Sequence, residues 1–106
     1  MPNIWSCDAA WFEKLKNEQP KVIVAVWDRE SESDKVNEWL EKLQKFEDEG
    51  TPVFVCDKSC PGIVEKLGAK EGGETIVYAK GIEKGRLLHP SEDIEGSLSK
   101  VKELAG

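Results

Sequence analysis

The run Lys21-Val-Ile-Val-Ala-Val-Trp27, followed at once by Asp28-Arg29-Glu30-Ser31-Glu32-Ser33-Asp34-Lys35, constrains this chain more than any other stretch. The unbroken apolar segment Val22 to Trp27 is rich in β-branched side chains, as expected for a strand covered on both faces. The residues after it open a helix. Ser31 and Asp34 have the spacing of a capping box, with Asp in the usual Glu/Gln place. Val36, Trp39, Leu40, Leu43 and Phe46 then recur as one helical stripe. Glu38–Lys42 and Glu41–Lys45 stand one turn apart in the favourable order for ion pairs. Gly50 marks the helix end. A buried strand feeding straight into an amphipathic helix is the start of a crossover, so the chain is expected to be α/β.

The remaining elements extend this pattern. Asn3–Trp5 is a short strand candidate, and Ser6 or Asp8 caps a helix carrying Trp11, Phe12 and Leu15, which Pro20 ends. Pro52-Val-Phe-Val-Cys56 is the next strand. Asp57-Lys-Ser59 turns into a helix with Pro61 in its first turn, with Ile63, Val64 and Leu67 apolar and Gly68 closing it. Thr75–Tyr78 and Arg86–Leu88 are expected to form a hairpin across a loop holding Gly81 and Gly85. Pro90-Ser91 opens a last helix with Ile94, Leu98, Val101 and Leu104 inward. Trp5, Trp11 and Trp39 fall on apolar stripes and read as core.

At 106 residues the chain fits one domain, spanning 1–106. Hydrophobic residues at 39% and charged residues at 34% fit a folded, soluble protein. The net charge of −6 argues against nucleic acid or an anionic membrane as partner, since both require a basic footprint. The apolar runs are too short to span a bilayer, and Met1-Pro-Asn-Ile-Trp-Ser shows no basic-then-apolar leader. The expected protein is cytoplasmic and monomeric. Three cysteines do not make a secreted disulfide framework.

The order of elements, with the residues that mark it, resembles thioredoxin over nearly the whole chain. Val22–Trp27 stands where that family has its central strand ending in Trp, and Lys35 where a Lys follows the redox motif. Asp57 with Pro61-Gly62 is similar to the family's Asp-x-x-Pro-Gly turn with one extra residue. Thr75–Tyr78 followed by Lys80-Gly81 is similar to the strand and turn after the cis-proline. The resemblance implies a mixed sheet of four to five strands, three of them parallel and ending in an antiparallel hairpin, with helices on both faces.

The family's catalytic parts do not carry over. Its Trp-Cys-Gly-Pro-Cys-Lys aligns with Glu30-Ser31-Glu32-Ser33-Asp34-Lys35, so Ser31 replaces the attacking cysteine and Asp34 the resolving one. The family's buried acid falls on Ala25 and its cis-proline on Glu74. Thiol–disulfide exchange needs sulfur at both motif positions. A non-proline cis bond costs about 3 kcal/mol, so Glu74 is expected to be trans. The leading expectation is a protein without the usual dithiol. It would bind an unidentified protein partner through an edge formed by Trp27, Ser31, Asp34, Asp57, Glu74 and Thr75, and would need no cofactor or metal.

Four readings of the cysteines stay open. Cys56 can be a core residue. Cys60 can form a disulfide with Cys56 or with Cys7. Cys60 can be a reactive thiol at a helix start. Cys7, Cys56, Cys60 and Asp57 can form a metal site, although the spacing is unlike zinc motifs. The alternative function is therefore a non-standard oxidoreductase using Cys56 and Cys60, with or without Cys7. His89, the single histidine, reads as a surface or capping residue.

Overall fold

The computed structural model describes residues 8–27, 33–57, 59, 60, 62–68 and 73–105. The elements run α1 (Ala9–Glu18), β1 (Lys21–Trp27), α2 (Asp34–Asp48), β2 (Val53–Asp57), α3 (Ile63–Leu67), β3 (Glu74–Ala79), β4 (Ile82–Leu88) and α4 (Ile94–Ala105). The sheet order is β2-β1-β3-β4. β1 and β2 are parallel, while β3 runs antiparallel to both β1 and β4. The strand expected at Asn3–Trp5, the third parallel member, lies outside the described residues.

Being interior to the sheet, β1 is covered on both faces, which is why its apolar run is unbroken. Alternate residues feed two separate cores. Val22, Val24 and Val26 join Phe12, Phe54, Ile63, Leu67, Ile76 and Tyr78 on the side of α1 and α3. Ile23, Ala25 and Trp27 join Trp39, Leu40, Leu43, Val55, Val77 and Val101 on the side of α2 and α4.

Helix starts depart from the sequence reading in detail. Asp8 caps α1 as expected, accepting from the Trp11 N–H at 3.0 Å. The cap of α2 is Ser33, whose hydroxyl accepts from the Val36 N–H at 3.3 Å, and Asp34 is already the first helical residue. The Ser31/Asp34 capping box is thereby overturned, because Asp34 sits one place after the cap rather than a turn beyond it. Pro90–Glu92 forms a separate 3-10 turn, and Asp93 caps α4 through the Gly96 N–H at 3.1 Å. Pro90 therefore opens the turn and not the helix.

The hairpin is longer than expected. Its loop is only Lys80-Gly81, both at positive φ (53° and 80°), the backbone of a type I′ turn whose twist matches that of its strands. β4 resumes at Ile82 and runs through Gly85, with a register shift opposite Val77 and Tyr78. Trp11 is 45% exposed, so it is not core, because α1 buries only Phe12 and Leu15. Lys42 and Lys45 make no ion pair with any described residue, so the expected Glu38–Lys42 and Glu41–Lys45 pairs do not form. No described helix is long and apolar enough to cross a membrane.

Candidate functional site

Parallel strands put their C-terminal ends on one edge, and in open α/β sheets that edge takes ligands. Here Trp27 pairs with Asp57, and Val26 lies between Cys56 and Glu74. The register thus brings Trp27, Cys56, Asp57 and Glu74 to the same end of the sheet. Asp34, at the tip of α2, is exposed. Ser31 and Cys7 lie outside the described residues.

The predicted edge is not one open patch. Trp27 is buried among the side chains of α2 and α4, so it packs the core instead of presenting an exposed anchor. Glu74 and Thr75 are also buried, and strand alternation sends them to opposite faces. Thr75 pairs with Ala25 across the strands and its hydroxyl accepts the Trp39 indole N–H at 2.9 Å. Where the resemblance would put a buried acid, Ala25 contributes a methyl group to an apolar layer. No described peptide bond is cis, and Glu74 is trans as expected.

Asp57 holds the turn after β2. Its carboxylate accepts from the Ser59 hydroxyl at 2.6 Å, and its carbonyl accepts from the Cys60 N–H at 3.0 Å. On the other side of the edge, Gly73 donates to the Val26 carbonyl at 2.7 Å and accepts from the His89 N–H at 2.6 Å. Gly73 has φ +94°, and a Cβ there would stand 3.0 Å from His89 Nδ1. Glycine is therefore required for the close approach of this loop to both strands. His89 is exposed, and its own backbone is left-handed at φ 50°.

The cysteines divide clearly. Cys60 is disulfide-bonded, and Cys56 is a free thiol, which excludes a Cys56–Cys60 bridge. Cys56 is fully buried. Burial first, and then the Asp57 charge, push its thiol up to about 12, so it is protonated at neutral pH. No cluster of three or more metal-ligating side chains occurs among the described residues.

Arg86 organises this end of the sheet, and the sequence reading did not single it out. Its guanidinium lies 3.4 Å from the Glu74 carboxylate and 2.8 Å from that of Glu83. It also donates to the carbonyls of Leu67 at 2.5 Å and Gly68 at 3.4 Å, which end α3. Terminal helix carbonyls have no partner within the helix, and a cation suits them. The signal was invisible because these partners lie up to 19 residues away. Arg86→Met is expected to cost about 2 kcal/mol, less than a fully buried pair would, since Arg86 is 24% exposed. Adding Glu74→Gln should recover part of that loss by removing the stranded charge. Urea melts of both variants check this, and an Arg86→Met protein as stable as wild type would contradict it.

No protein-family model matches the chain, and no curated protein sequence does. Solved structures do match. A designed protein aligns with TM-score 0.78 at 17% identity, covering 95% of this chain and 90% of its own. A mutant thioredoxin from Halobacterium salinarum NRC-1 aligns with TM-score 0.77 at 7% identity, covering 97% and 90%. Thioredoxin from Trypanosoma brucei brucei aligns with TM-score 0.74 at 13% identity, covering 96% and 92%. The chain has a thioredoxin-like fold. Identities this low speak to architecture alone.

Proposed function

We propose that this protein is a binding module on a thioredoxin-like scaffold, engaging a protein partner through the sheet end around Asp34, Asp57 and Gly73, without dithiol chemistry. One observation carries the reading. The two positions that the resemblance assigns to redox cysteines hold Ser31 and Asp34, and neither can form or break an S–S bond. Exposed groups near this end, Asp34, Ser59, His89 and the 65% exposed Leu88, offer a partner both polar and apolar contacts. A cytoplasmic, monomeric protein that needs no cofactor belongs to the same reading.

The alternative, an oxidoreductase built on Cys56 and Cys60, draws support from thioredoxin-fold neighbours and from the presence of a disulfide. It needs a thiolate, and the Cys56 thiol is protonated and out of reach of a protein disulfide. Cys60 is buried as well.

Reduction of insulin by dithiothreitol tests the proposal. The expected rate with this protein equals the uncatalysed rate, and Cys56→Ser leaves it unchanged. Turnover clearly above background would overturn the reading and restore the oxidoreductase.

A further inference from the structure

Away from the site just described, a groove of about 170 Å³ opens between the second half of α2 and α4. Lys42, Lys45 and Phe46 line it from α2, Glu49 from the cap that ends α2, and Leu98 and Lys102 from α4. Phe46 and Leu98 are partly buried against the core and form its apolar floor. Three lysines and one glutamate are among the lining residues, in a chain whose net charge is −6.

Part of this has a simple cause. Lys45 and Lys102 lie in the last turns of their helices, where the partial negative charge of the helix end favours a cation. That does not account for Lys42, nor for an apolar floor left open beneath the three. Lys42 and Lys45 share a helix face one turn apart, an unfavourable like-charge placement. Neither they nor Lys102 are ion-paired with a described residue. Lysine stems add apolar wall while the ammonium groups stay at the rim.

We propose that this groove binds a small amphipathic anion, an aryl or short alkyl carboxylate or sulfonate. Its apolar body lies on Phe46 and Leu98, and its acid group is taken up by Lys42, Lys45 and Lys102. The anion relieves the repulsion among the lysines while covering the exposed floor. Glu49 opposes the anion and limits affinity. The groove is small beside ordinary ligand pockets of about 300–1,000 Å³, so the ligand is of one- or two-ring size and its binding weak.

Titration with 2-naphthoate, followed by amide shifts in proton–nitrogen NMR spectra, tests the proposal, with the neutral 2-naphthalenemethanol as the second arm. Naphthoate is expected to shift amides from Lys42 to the α2 cap residue Glu49, and those of α4 around Leu98 to Lys102. The neutral alcohol should bind more weakly, and added salt should weaken naphthoate alone. Lys45→Gln with Lys102→Gln should weaken naphthoate about 3- to 10-fold, as two exposed charge contacts would. Glu49→Gln should tighten it, a gain of affinity that a merely damaged fold would not give. No shifts up to the solubility limit, shifts centred elsewhere, or equal affinity for acid and alcohol would each overturn the proposal.

Discussion

Trp39→Ala is expected to lower the unfolding free energy by about 3–5 kcal/mol, the cost of deleting a large buried aromatic. Small domains are stable by only about 5–15 kcal/mol, so the urea midpoint should fall steeply. Trp39 is fully buried and packs with Ile23, Ala25, Leu43 and Val101, joining α2, β1 and α4 in one layer. Its indole N–H also donates to the Thr75 hydroxyl, tying α2 to β3. Area and hydrogen bond can be separated. Thr75→Val keeps the volume but strands a buried donor, at a cost of about 1–3 kcal/mol. Trp39→Phe removes the donor. With both substitutions, no donor is left without an acceptor, so the pair should cost less than the two single variants added together. Urea denaturation followed by circular dichroism measures all four variants. Strict additivity would mean the indole–hydroxyl contact contributes nothing to the fold.

The second large effect is alkaline. In the folded protein the Cys56 thiol stays protonated until about 12, whereas an unburied thiol ionises near 9. Between those values the unfolded chain binds fewer protons than the folded one. Its stability contribution is therefore complete below pH 9 and is lost as pH rises towards 12. The slope is about 1.4 kcal/mol per pH unit, or about 4 kcal/mol across the window. Burial also raises the Tyr78 hydroxyl, which adds a loss of the same sign at higher pH. Cys56→Val keeps a small apolar side chain and removes the thiol, so its stability should decline more gently. Unfolding free energies of wild type and variant measured from pH 8 to 12 decide the matter, and parallel profiles would show that Cys56 is not held protonated by the core.

The legible elements were those whose signal is local. β1 announced itself by an unbroken β-branched run, and α2 by Val36, Trp39, Leu40 and Leu43 on one stripe, all four of which are buried. The ends of elements were less legible. Ser31 and Ser33 are both serines ahead of the same helix, and only backbone geometry distinguishes the cap from its neighbour. Trp11 sits on an apolar stripe yet stands in solvent, because periodicity marks a face without saying how much of it the sheet covers. The candidate edge was legible as a location. Its openness was not, since Trp27, Glu74 and Thr75 all turn into the layers.

By itself, the amino-acid sequence determined the order of strands and helices, the acidic charge, and a serine- and acid-rich segment between β1 and α2. Tertiary structure alone decided that Trp39 meets Thr75 across 36 residues, that Arg86 meets Glu74 across 12, and that Cys60 is disulfide-bonded while Cys56 is free. The reason is physical. Secondary structure follows from side chains within a turn or two of one another, whereas these contacts depend on strand register and on which face each helix covers. A one-residue slip of β3 would turn Thr75 away from Trp39 and Glu74 into the layer that Thr75 now occupies.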